Sequence, residues 1–473
     1  FNRLLSGSTV ITDLDYGSHL DDVASSAVIF TGASPAVNGI TGRELFDAST
    51  RRPIPIFTDR TYIGNFTDET FSPEAIRVST LGDEARLDAG GLGAVYSIAP
   101  SAEQALIGAG HAGNSAAWIT DHPGRWATTT YYKDLPMAMQ MANRSRALST
   151  RLDTLSWVPS PRGGLYSSLP SYKQIYQFRH SYPASDPRRV VAFKEAAPVN
   201  QEVTDLAIDY INQFNLGGRE PIDFLALTYT VQPYTFSTDP DVRAETIDAY
   251  IKLDLQLARL LKAIDAKLPS GTEAAIAIVG TPVRPTSPRD DEKWGIPSGV
   301  FSPERAVSLM KMNYMTIYGN GDWVLGYHNH QFYLNRDLIK ERGLNLEEVS
   351  REGADFLRKM SGVAYATTLR ELVTAPQSEV TTFPIARNID VDTAGDIFIA
   401  VTPGWSINAG ADSGRNVAQV ERATPATSMA VIKAPGVAST VITTPVDARA
   451  IAPTIARISR LRAPNAAALP PLR

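Results

Sequence analysis

The chain has 473 residues, 43% of them hydrophobic and 20% charged, with a formal net charge of −5 and no cysteine. That length suits one large α/β domain with insertions, or two to three smaller domains. The mild negative charge gives nucleic acid no basic stripe to bind; the lack of cysteine excludes disulfides, thiol catalysis and cysteine-ligated metals; and no apolar run approaches the roughly 18 residues of a membrane-spanning helix.

Residues 9–13 read as a short strand, and a buried helix follows near 22–31. That helix is apolar all round from 24 to 30 and closes at Thr31-Gly32, since glycine is the usual residue just past a helix end. Pro35, Gly39 and Gly42 punctuate the turn beyond it. Residues 45–92, rich in Arg, Asp, Thr and Pro, read as an irregular insertion. Strands are expected at 94–98, 115–120 and 126–132, the last because β-branched and aromatic residues suit a pleated surface. A helix is expected at 135–148, and residues 150–200 read as a Tyr- and Arg-rich cap insertion.

The clearest unit runs from 202 to 280. Val203, Leu206, Ala207, Tyr210, Ile211 and Phe214 mark one face of a helix, and 223–230 is an apolar strand. Asp239-Pro240 offers an N-cap and first-turn pair for a second helix, and 274–279 is another apolar strand. Strand, helix and strand with apolar runs predict a parallel βαβ unit in a sheet covered on both faces. Helices are expected at 302–315, 337–342 and 347–360, and strands at 396–401 and 429–433. A last helix at 446–461 would be interrupted by Pro453, before a Pro-rich tail at 462–473. With no repeat and no long linker, one domain over 1–473 fits best. The start at Phe1 fits a cleaved precursor or a missing first strand.

Three groups carry candidate chemistry. Asp13, Asp15, Asp21 and Asp22 form an acidic cluster with oxygen ligands for Ca²⁺ or Mg²⁺, against the plainer reading of aspartates capping a helix. His328 and His330 have the period of a strand, which would put both on one side; the plainer reading is an aromatic strand at a sheet edge. His111 lies among small residues, facing a cleft or serving as a structural histidine. No phosphate-binding glycine loop, HExxH or GxSxG is present.

In their order and spacing, the segments 29–47, 105–119, 124–132, 248–265, 333–349, 395–405 and 444–467 resemble the alkaline phosphatase superfamily, nearest its phosphate-irrepressible bacterial phosphatases and nucleotide pyrophosphatase/phosphodiesterases. The resemblance covers nearly the whole chain. It implies a three-layer α/β sandwich, a mostly parallel central sheet with helices on both faces and cap insertions. Active relatives hydrolyse phosphate esters with a Thr or Ser nucleophile between two zinc ions, which stabilise the developing charge.

Carried over position by position, the resemblance implies a degenerate site. The nucleophile's place is taken by Asp22, and that of an asparagine contacting phosphoryl oxygens by Arg43. The phosphate-clamping Lys and Arg fall near Ser101 and Glu103. One Asp/His ligand pair falls in 231–237, around Pro233; another falls at Thr281-Pro282; a late histidine ligand has no counterpart beyond 330. The expectation is a pseudoenzyme with no bound zinc or other cofactor. It would act as a binding or scaffolding subunit of an extracytoplasmic, periplasmic or envelope complex, with the Tyr- and Arg-rich segment 161–190 as partner surface or as a cap packed on the old cleft. The alternative is a phosphate mono- or diester hydrolase with an altered nucleophile, Asp22, or an altered metal site.

Overall fold

The computed structural model describes residues 1–17, 20–161, 163–171, 174, 178–239, 241–282, 295, 298–376, 385–408, 419–420 and 427–472. The strands SAAWI (Ser115–Ile119), WATT (Trp126–Thr129) and VYSI (Val95–Ile98) are buried at every position. Strands that are apolar on both faces need cover on both faces. The Ala102–Ala109 helix packs on the first and last of these, and the Val199–Phe214 helix also meets the Val95–Ile98 strand.

Two five-stranded mixed sheets organise the chain. In one, Thr9–Asp15 runs antiparallel to Thr427–Lys433 on one side and parallel to Thr440–Ile442 and Val446–Asp447 on the other. Ile276–Val279 extends it by pairing antiparallel with Thr427–Lys433. In the second, Val95–Ile98 lies between Phe224–Leu227 and Ser115–Ile119, both parallel to it, and Trp126–Thr129 and Gly64–Asn65 continue antiparallel. A four-stranded antiparallel sheet carries Val324–His328, Gln331–Leu334, Ile397–Val401 and Val363–Thr368.

This topology corrects the expected βαβ unit. Both apolar strands exist, but Phe224–Leu227 pairs in the second sheet and Ile276–Val279 in the first. The 25-residue helix Arg243–Lys267 carries the chain between them. An apolar run identifies a buried strand; it does not choose the neighbour. The N-cap is corrected too. The helix begins after Val242, and Asp239 instead accepts the Asp241 amide at 2.9 Å, the local turn bond that aspartate favours; Pro240 lies outside the described residues.

Several helices arise where none was expected, two of them near the site. Leu81–Asp88, inside the segment read as irregular, is fixed by a capping box in which Thr80 and Asp83 exchange backbone and side-chain bonds. Ala102–Ala109 is short, rich in Ala and Gly, and buried nearly all round, so it has no amphipathic period to read. The last helix spans only Ile451–Ile458 and begins after a strand and a 3₁₀ turn. Pro453 falls in its first turn, where a missing N–H breaks no helical bond. The tail turns back on the body: the Ala468 amide reaches the Gly32 carbonyl at 3.2 Å, the Leu472 amide reaches Thr454 Oγ1 at 2.9 Å, and Leu469 and Leu472 pack on the core.

From segment 150–200, Trp157 and Tyr182 join the largest core cluster beside Tyr234, packed with Phe178 and Phe236. Of the tyrosines expected to form a partner surface, Tyr182 is buried and Tyr166 donates to the buried Asp248 at 2.9 Å, so both belong to the packed cap. Tyr172 and Tyr176 lie outside the described residues. Asn143 exchanges two hydrogen bonds with the Trp126 backbone at 2.9 and 2.8 Å.

Candidate functional site

Asp21 starts the Asp22–Thr31 helix. One of its oxygens accepts the Ala24 amide at 2.8 Å, and the other accepts the Arg43 amide at 2.7 Å. A single carboxylate therefore caps the helix and ties it to the turn that follows. Gly42 permits the approach, since a Cβ there would sit 3.1 Å from Asp21 Oδ2. The helix ends as the sequence predicts, with Gly32 left-handed at φ 66°.

Asp22 occupies the first turn of the same helix. Arg43 Nη2 donates to its Oδ2 at 2.9 Å. Arg43 Nη1 lies 2.9 Å from Glu103 Oε2. Gln104 Nε2 donates to the same Asp22 Oδ2 at 2.5 Å. The structure thus brings Asp22, Arg43 and Glu103 together, and adds Gln104, which sequence reasoning missed. Its only sequence signal is adjacency to Glu103. Ser101 is the N-cap residue of the Ala102–Ala109 helix but makes no side-chain capping bond. Asp22 and Glu103 both sit in first helical turns, where the helix dipole favours a carboxylate.

The electrostatics follow from this packing. Burial pushes the Asp21 carboxyl above its usual range and neighbouring Asp22 adds to the push, against the Ala24 and Arg43 amides and the Arg43 charge. Burial also works against the Arg43 charge, but Asp22, Glu103 and Asp21 outweigh it and hold the guanidinium above its ordinary range. Three carboxyl groups thus face one guanidinium.

Among the described residues, the remaining candidates make no hydrogen bond or ion pair to these side chains: none joins Pro233, Thr281 or Pro282 to the network. Next to Pro233, Tyr234 packs its ring against Trp157 and His180, at 5.3 and 4.6 Å between centroids. His111 is a structural histidine: its Nδ1 lies 3.3 Å from Asp83 Oδ2. His19 lies outside the described residues.

The strand-pair reading of His328 and His330 is corrected. His328 ends one strand of a hairpin, while Asn329 and His330 form its two-residue turn, with φ of 44° and 64°. Positive φ at both central residues is the tight hairpin turn that Asn favours at the first position. The Val324–His328 strand does lie at a sheet edge. Of the acidic cluster, Asp21 caps a helix, Asp15 accepts the Gly17 amide at 2.7 Å, and Asp22 belongs to the arginine network. Among the described residues, no three His, Asp or Glu side chains gather to hold a metal ion, and no helix is long and apolar enough to cross a membrane.

No protein-family profile matches the chain. It is 25% identical over 487 residues to a protein of Myroides odoratus named calcium-transporting ATPase, covering 98% of this chain and 88% of that one. It is 24% identical to the alkaline phosphatase PhoV of Synechococcus elongatus, over 80% of this chain and 70% of PhoV. The crystal structure of wild-type alkaline phosphatase PafA superposes with a TM-score of 0.84 at 20% identity, covering 100% of this chain and 92% of PafA. The fold is that of the alkaline phosphatase superfamily. Within it the chain is similar to the bacterial alkaline phosphatases PafA and PhoV.

Proposed function

We propose that this chain is a non-catalytic member of the alkaline phosphatase fold that works as a binding or scaffolding subunit outside the cytoplasm. The Asp22–Arg43–Glu103 network carries this reading. The residue that the resemblance puts at the nucleophile's position, Asp22, is a carboxylate whose Oδ2 accepts from Arg43 and Gln104. Arg43, the cation beside it, is shared with Glu103. An incoming phosphate ester would meet three carboxyl groups for one guanidinium, and like charges repel most strongly where water is scarce. The positions that the resemblance assigns to zinc ligands do not fit the metal: Pro233, Thr281 and Pro282 offer no imidazole or carboxylate.

A second reading is a hydrolase of phosphate mono- or diesters with an altered nucleophile or metal site. Its support is the similarity over nearly the whole chain to proteins named alkaline phosphatases, and the PafA fold.

Hydrolysis of p-nitrophenyl phosphate and bis-p-nitrophenyl phosphate, with Zn²⁺, Mg²⁺ or Ca²⁺ added and Asp22→Ala as control, separates the two. Turnover above that control, or two zinc ions bound per chain, would overturn the non-catalytic reading. Copurification of a stoichiometric partner is the expected result under it.

A further inference from the structure

We infer that Met137 and Met141 form a two-thioether site for a soft monovalent cation, Cu(I) or Ag(I), in a cavity between two helices.

The Met137–Ser145 helix carries methionines at 137, 139 and 141. Met139 is fully buried in the largest core cluster and fixes the roll of the helix. The methionines two residues to either side therefore point outward: Met137 is 66% exposed and Met141 51%. Four residues apart on one helix face, their Cβ atoms lie about 5–6 Å from each other. Their unbranched, flexible stems let both sulfurs turn toward one ion. Both side chains line a cavity of about 390 Å³ against the Val199–Phe214 helix, which touches the Met137–Ser145 helix.

The rest of the lining decides the ligand. Arg146 and Asp209 pair with each other, so a hard cation finds no net negative charge there. Asn212 and Gln213 contribute carboxamides, and Gln213 Oε1 holds the start of the helix by accepting the Ala138 amide at 2.5 Å. A polar wall beside two thioethers is not the continuous apolar patch that a docking partner covers. Thioether sulfur selects Cu(I) by softness rather than by charge. With no cysteine in the chain, no thiolate competes for the ion. No residue of the Asp22 network takes part, so the site stands whether or not the chain hydrolyses esters.

The test is methyl NMR of the full chain, labelled at the methionine methyls and titrated with Ag(I) in chloride-free buffer. Silver is the redox-stable counterpart of Cu(I), and Cu(I) kept reduced by ascorbate without air should move the same signals. Met137 and Met141 are expected to shift together and to saturate at one ion per chain. Met429, 48% exposed on the Thr427–Lys433 strand, is the lone-thioether reference and should lag behind them. Met137→Leu and Met141→Leu conserve volume and keep the fold, which the remaining methyl signals report. Each should weaken silver binding at least tenfold, since losing even a group behind a metal ligand costs about 10–100-fold. Zn²⁺ should leave both methyls unmoved. Shifts at Met429 equal to those of the pair, a Met141 response unchanged by Met137→Leu, or movement of the pair with Zn²⁺ would each overturn the inference.

Discussion

The Trp157 indole donates to Asp248 Oδ2 at 2.6 Å in the interior of the protein. The other carboxylate oxygen accepts the Ser160 amide at 2.7 Å and the Tyr166 hydroxyl at 2.9 Å, and Lys252 Nζ lies 3.5 Å from Oδ2. One buried carboxylate on the Arg243–Lys267 helix therefore anchors three points of the cap. Asp248→Ala would strand three donors and an ammonium. We expect a loss of about 3–5 kcal/mol in urea unfolding followed by tryptophan fluorescence. A loss below about 1 kcal/mol, the scale of an exposed pair, would show that the cap is held by its aromatic packing alone.

The helix that delivers Glu103 and Gln104 lies tight on its sheet. A Cβ at Gly108 would come within 2.4 Å of Ser97 Oγ and 2.8 Å of Ala226 Cβ, on two neighbouring strands. Gly108→Ala should lower stability by about 1–3 kcal/mol, the usual cost of overpacking. An unchanged thermal midpoint would mean that the helix shifts outward freely.

The His111–Asp83 pair predicts a pH window. The hydrogen bond that His111 donates to Asp83 raises His111 above its ordinary 6.5, against the pull of burial, with Glu74 and the Ile76 backbone adding to the rise. Burial pushes Asp83 up, but His111 and the Ala112 and Thr80 amides overcome it and hold Asp83 below its ordinary 3.8. Stability from the raised histidine is complete below 6.5 and fades as pH climbs through its folded value. Stability from the lowered carboxylate is complete above 3.8 and fades as pH falls through its folded value. His111→Gln should therefore lose most stability between 3.8 and 6.5 and approach wild type once pH has climbed past the raised folded value of His111, in denaturant melts. A deficit that grows with pH would contradict this pairing.

Arg43→Met leaves Asp21, Asp22 and Glu103 facing one another without a cation. Arg43 is 36% exposed at its side chain, so solvent tempers the cost. A loss of about 1 kcal/mol at neutral pH is expected. It should shrink in acid as the carboxyls gain protons, and a pH-independent loss would mean that packing of the arginine stem, not its charge, was what mattered.

Local structure was legible wherever one stretch of sequence decides it. The Asp22–Thr31 helix and its Gly32 end follow from a run of small apolar residues and a glycine, and the Pro303–Tyr318 helix from Ser302 and Pro303 at its start. Pairing was not legible, because Phe224–Leu227 and Ile276–Val279 have the same apolar character and different partners. The Leu81–Asp88 helix was missed because its stability lies in a two-residue cap within a polar stretch. At the site, Asp22, Arg43 and Glu103 were found through the order of motifs around them. Gln104 was not, since only folding sets it against Asp22.

Among the described residues, the Thr9–Asp15 strand has its strand neighbours at Thr427–Lys433, Thr440–Ile442 and Val446–Asp447, and none nearer in sequence. A ribosome adding roughly 5–20 residues per second leaves it without partners for on the order of 20–80 s. Through that interval both of its edges offer open backbone groups to any passing strand. The strand is made well before the segments that hold it. Refolding from denaturant, where all segments are present at once, should therefore give a different yield from folding during synthesis.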